Sequence, residues 1–251
     1  MFIWNQPEAA LLVKQLEACR QVFLDHKKTL LAHYGFDAQN TDDMRVVVFS
    51  KYINTINSAI YGHLFLDQDL RDKAWWQKVG SKPPAKITYD LAIEQWEVFL
   101  RWSLFHATFS IYESFLRIVI RAIDPSACSC GTAEFQSVYS TLFSNRLSRA
   151  YPHAIELSNL LRLIRNMIHN NGLYVSAKHK SLTVICNRKS YVFEHMKDPH
   201  ILTWDLILEL LHLQATVLTE VGLDTIVKNL PHIEDDYIAA TRHRLASIGR
   251  S

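Results

Sequence analysis

The chain has 251 residues, 49% apolar and 21% charged, which excludes global disorder and leaves room for one large domain or two small ones. A formal net charge of +2 and an isoelectric point near 8.3 are too mild to mark a nucleic-acid binder, which needs basic residues gathered on one face. Seven glycines are few for a turn-rich β protein, so a mainly α fold is expected.

The opening Met1-Phe2-Ile3-Trp4-Asn5-Gln6-Pro7-Glu8 has no basic flank before a long apolar run and does not read as a secretory signal. No stretch approaches the roughly 18 uncharged residues of a membrane span. The most apolar segment, Phe99 to Ile123, is broken by Arg101, His106, Glu113, Arg117 and Arg121. A cytoplasmic setting away from membranes is therefore expected, with Cys19, Cys128, Cys130 and Cys186 kept as thiols.

Pro7 suits a helix start, and Leu11, Leu12, Leu16, Cys19, Phe23, Leu30 and Leu31 recur at helical spacing up to Gly35. Thr41-Asp42-Asp43 caps a second helix predicted from Met44 to Leu64. A short third helix is predicted over Asp67 to Lys78, with Trp75 and Trp76 as core anchors. Gly80-Ser81-Lys82-Pro83-Pro84 breaks any helix and is the best boundary. It divides an N-terminal helical region, 1–80, from a second helical domain, 88–230, with a tail over 231–251 that reads as frayed or disordered.

A long helix from Thr88 to Ile123 has apolar positions on more than one face and is expected at the centre of the fold. After Asp124-Pro125 comes the Cys128-Ser129-Cys130 loop. Its single intervening residue is unlike the usual zinc spacing, so neither metal nor cofactor is expected. Helices are predicted over Thr132 to Leu147 and from Tyr151-Pro152 to Gly172. Leu182 to Cys186 and Tyr191 to Phe193 form a small hairpin, and a last helix spans Ile201 to Asn229.

The helix ending at Gly172 carries the distinctive chemistry. At about 100° per residue, Leu157, Leu160, Leu161, Ile164, Met167 and Ile168 share one side, with Leu163 at its margin. Arg162, Arg165, Asn166 and His169 share an arc of roughly 100° opposite, and Asn170 and Asn171 extend the polar group past the end. Histidine exchanges protons at neutral pH, arginine grips phosphate through paired hydrogen bonds, and an amide orients without titrating. Together they suit attack of a ribose 2′-OH on its own 3′-phosphate without a metal. The plain alternative is a solvated polar face. Glu113, on the central helix, is placed either to brace Arg162 or Arg165 or to pair with Arg117 four residues on. Lys178, Lys180, Arg188 and Lys189 on and beside the hairpin either flank a substrate groove or keep an exposed edge soluble.

The run Arg165-Asn166-Met167-Ile168-His169-Asn170-Asn171-Gly172 resembles the signature of the HEPN superfamily, an arginine, a polar residue and a downstream histidine on one helix. Phe109 to Arg117 resembles the partner helix, and the likeness covers Thr88 to Asn229. The resemblance implies a HEPN-like helical bundle, here with a small β-hairpin and extra N-terminal helices. It also implies a homodimer with facing motifs and a metal-independent endoribonuclease leaving a 2′,3′-cyclic phosphate. Arg165, Asn166 and His169 would be catalytic, with Arg162, Asn170 and Glu113 supporting. RNA would be the substrate, in a toxin–antitoxin or phage-defence setting with an antitoxin or regulatory protein as partner. The family pattern leaves four to six residues between arginine and histidine. Arg165 and His169 enclose three; Arg162 and His169 enclose six, but Leu163 then follows the arginine. That departure motivates the alternative of a non-catalytic module that binds RNA or a protein. Asn171 stands where adenylylated relatives carry tyrosine, so that regulation is not implied.

Overall fold

In a computed structural model, residues 6–37, 42–79, 86–127, 134–198, 201–235 and 240–241 are described. Helix α1, Gln6–Tyr34, buries Leu12, Leu16, Cys19, Phe23 and Leu30 of the predicted stripe, whereas Leu31 is half-buried and Leu11 is exposed, lying at the edge of that face. It stops at Gly35, whose φ of +66° few other residues adopt without strain. Helix α2, Met44–Phe65, starts where Asp43 accepts a hydrogen bond from the Arg45 amide at 2.9 Å. It runs on into a π-helical turn over Leu66–Leu70, so the predicted third helix begins later, as α3, Lys73–Val79. Trp75 and Trp76 are half-buried and meet edge to face, with centroids 5.2 Å apart. The boundary at Gly80 to Pro84 lies outside the described residues.

Helix α4, Lys86–Ile123, is about 57 Å long at 1.5 Å per residue. One core runs from α1 through α2 and α4 into the rest of the chain, so the helices before residue 80 share their apolar interior with those after it. Tyr52 of α2 joins the layers, its hydroxyl donating to the Thr108 carbonyl at 3.0 Å and bonding to Gln214. Helix α5, Phe135–Thr141, continues as a second π-helical turn, Leu142–Arg146, and α6 spans Pro152–His169.

Strands β1, Leu182–Cys186, and β2, Lys189–Phe193, pair antiparallel around Asn187 and Arg188. Both turn residues have positive φ, as a two-residue primed turn requires. Helix α7, Trp204–Leu223, is capped by Thr203 and ends at Asp224, and a separate turn α8 follows over Thr225–Lys228. The single helix predicted over Ile201 to Asn229 is thus divided. The cause is Asp224, whose carboxylate caps α8 and also accepts from the Ser148 amide at 3.0 Å and the Tyr151 hydroxyl at 2.9 Å.

Helix α7, not Phe99 to Ile123, is long and apolar enough by length and composition to cross a membrane, but most of it is buried inside the fold. The segment after Pro231 is not frayed throughout: Met44 N donates to Ile233 O at 2.8 Å and Ile233 N donates to Asp43 at 3.1 Å. Beneath them Arg45 and Asp43 form an enclosed ion pair at 2.6 Å, with the guanidinium 4.4 Å from the Tyr34 ring centroid.

Candidate functional site

Proline at the first turn of α6 presets the helical φ and leaves no extra amide to satisfy. The helix buries Ala154, Leu157, Ser158, Leu160, Leu161, Leu163, Ile164 and Met167, so Leu163 belongs to the core rather than to a margin. Ser158 fixes the rotation of the helix by meeting the Tyr112 hydroxyl of α4 at 3.1 Å. Packed on that side, α6 holds Arg162, Arg165 and Asn166 half-buried on the other and leaves His169 exposed.

The end of α6 is built by Asn170, Asn171 and Gly172. The Gly172 amide donates to Met167 O at 3.0 Å and the Asn171 amide to Ile168 O at 3.2 Å, with φ of +56° at Asn171 and +87° at Gly172. This paired closure satisfies carbonyls that the helix itself leaves unbonded. Asn170 is the helix cap and its side chain is exposed, so it stands apart from Arg162, Arg165 and Asn166.

Those three residues form one wall of a cleft of about 370 Å³. Helix α4 supplies Phe109, Glu113 and Arg117, and the start of α5 supplies Glu134, Phe135 and Gln136. Of the placements open to Glu113, the structure shows the local one: it accepts from Arg117 Nη2 at 2.6 Å and Nε at 2.9 Å. Arg162 and Arg165 are tethered only by amides. Arg162 Nη2 donates to Asn159 at 2.9 Å, and Arg165 Nη1 to Asn166 at a long 3.3 Å. Both Nε groups are enclosed without a hydrogen-bond partner, and among the described residues neither guanidinium has a carboxylate mate. Enclosed donors left unmatched are costly, which makes them receptive to an anion.

His169 lies one turn beyond Arg165 and does not line the cleft. Its ring meets His106 of α4 edge to face, with centroids 5.2 Å apart and planes at 84°. Partial desolvation, then the charges of Arg165 and His106, lower its pKa from the ordinary 6.5. At neutral pH it is therefore an unprotonated base beside a fixed positive charge.

Glu134, Phe135 and Gln136 in the cleft lining, and His106 beside His169 but outside that lining, are residues that the α6 motif does not include. His106, Glu113 and Arg117 do form a polar stripe at seven- and four-residue intervals on α4, a signal that points to a shared face. The α5 residues carry no comparable signal. The hairpin cations do not line the cleft, and Lys189 pairs with Glu209 at 2.6 Å. Among the described residues no group of three or more His, Cys, Asp or Glu could hold a metal ion. Cys128 and Cys130 lie outside those residues, whereas Cys19 and Cys186 are buried free thiols.

No family model, no curated protein and no solved structure matches this chain. Fold and cleft together define a mainly helical protein with a small two-stranded sheet and an arginine-lined pocket at the junction of α4, α5 and α6.

Proposed function

We propose that the protein is a metal-independent endoribonuclease of HEPN type that leaves a 2′,3′-cyclic phosphate. The observation that carries this reading is the pair of guanidinium groups, Arg162 and Arg165, that line one cleft with no carboxylate mate among the described residues, two turns and one turn from a histidine with a lowered pKa. A phosphodiester there receives fixed donors at the oxygens where charge develops. Asn166 holds Arg165 in place, and neutral His169 accepts the proton of the attacking 2′-OH. In this proposal the enzyme works as a homodimer in the cytoplasm, within a toxin–antitoxin or phage-defence system, with an antitoxin or other regulatory protein holding it in check.

The test is incubation of the purified protein with structured and unstructured RNAs in EDTA. Cleavage products ending in a cyclic phosphate, absent with His169→Ala, are expected; no cleavage of any RNA contradicts the reading.

One observation favours a second reading, a HEPN-like module that binds RNA without cutting it: His169 stands outside the cleft lining. RNA binding by the unaltered protein without turnover, lost in Arg165→Ala but unchanged in His169→Ala, selects that reading.

A further inference from the structure

We infer that His106, on α4, is the general acid that protonates the departing 5′-oxygen, the counterpart of His169 as base. This rests on the ribonuclease reading and adds a residue that the HEPN-like motif on α6 does not contain.

Cleavage by transphosphorylation needs two proton transfers. Neutral His169 takes the proton from the 2′-OH, the 2′-oxygen forms a bond to phosphorus, and the bond from phosphorus to the 5′-oxygen breaks. Protonated His106 gives its proton to that oxygen, leaving a 5′-hydroxyl and a cyclic phosphate. Each imidazole ends in the state in which the other began, and exchange with water resets both. No oxidant, metal or further reactant is required.

Three observations select His106. Its ring is the one against which His169 packs, with centroids 5.2 Å apart. A general acid and a general base must each come within about 3 Å of their own oxygen on one phosphate, and His106 is the imidazole that accompanies His169. Second, the ring is uncommitted. Nδ1 is enclosed without a hydrogen-bond partner, and among the described residues neither nitrogen is bonded. A half-buried imidazole left so is unusual in a structural role. Third, Glu113, the acid that α4 contributes to the cleft, is engaged by Arg117 through two hydrogen bonds.

The experiment compares two substrates that differ only in the leaving group. Uridylyl-3′,5′-adenosine expels an alkoxide that must be protonated; uridine 3′-(p-nitrophenyl phosphate) expels a phenolate that need not be. His106→Ala is expected to lower kcat on the dinucleotide about 100- to 10,000-fold, the usual worth of a general acid, yet to stay within tenfold of the unaltered enzyme on the nitrophenyl ester. His169→Ala should fail on both. His106→Phe, which keeps a ring against His169, should behave as His106→Ala does. Equal losses on both substrates, or no loss on either, overturn the assignment while leaving the ribonuclease intact. If the unaltered enzyme cleaves neither substrate, the ribonuclease reading falls and this inference with it.

Discussion

Arg165→Ala separates a binding arginine from a structural one. Within the protein Arg165 makes one long hydrogen bond, to Asn166 at 3.3 Å, and no ion pair among the described residues. Its removal should change stability by no more than about 0.5 kcal/mol, as for other substitutions that break no buried network. A charge-assisted hydrogen bond to phosphate is worth about 1.5–3 kcal/mol. At about 1.4 kcal/mol per decade, the variant should bind single-stranded RNA roughly 10- to 100-fold more weakly. The slope of log affinity against log salt should also fall by about 0.7, the loss of one phosphate contact. Arg45→Ala is the contrast. It removes the guanidinium from an enclosed ion pair 2.6 Å apart and should cost about 3–5 kcal/mol. Fluorescence anisotropy at several salt concentrations, with urea unfolding of both variants, reads the two effects separately. RNA affinity within twofold of the unaltered protein in Arg165→Ala, or a loss of stability equal to that of Arg45→Ala, would refute the reasoning.

Three other expectations concern titration and the helix end. NMR titration of the His169 ring should give a midpoint below 6.5 that moves upward in Arg165→Ala, because partial desolvation, Arg165 and His106 together disfavour the charged form. Cleavage should be lost as pH falls through that midpoint; a midpoint at or above 6.5 in the unaltered protein contradicts this. His63 is buried, lies 4.8 Å from Trp204 between ring centroids, and is pushed down to about 4 by burial and then by Arg71. Its folded pKa is below the unfolded 6.5, so its contribution is full above pH 6.5 and lost as pH falls towards 4. About 3 kcal/mol of acid sensitivity over that window should be missing in His63→Leu, read by urea melts at each pH. Asn171→Val forces a β-branched residue to φ +56° and should cost about 1–2 kcal/mol in thermal unfolding, whereas Asn171→Gly should cost nothing.

The polar wall of the cleft was legible because it lies on one helix. Arg162, Arg165 and Asn166 follow from a 3.6-residue repeat opposite a leucine face, and the repeat needs no tertiary knowledge. The facing wall was not, since Phe135 and Gln136 reach the cleft only through the packing of α5 on α6, which no local pattern encodes. Helical extents failed for similar reasons. The chain between Leu66 and Leu70 stays wound as a π-helical turn although Asp67 and Asp69 look like a new helix start. Asp224 breaks α7 because distant Ser148 and Tyr151 need its carboxylate. The hairpin was legible from its β-branched runs, though its turn is only Asn187 and Arg188, two residues shorter than the polar run suggests.

The proposed phosphodiester binds at two guanidinium groups, Arg162 and Arg165, that line the cleft with no carboxylate mate among the described residues. Proton–nitrogen correlation spectra of the arginine side chains, recorded while adding 2′-O-methyl-uridylyl-3′,5′-adenosine, follow those groups directly because the methyl ether blocks attack. Saturable downfield shifts of the Arg162 and Arg165 Nε–H resonances, larger than that of Glu113-bound Arg117, are expected. Unmoved Arg162 and Arg165 signals at saturating dinucleotide, or shifts confined to the hairpin cations, would contradict it.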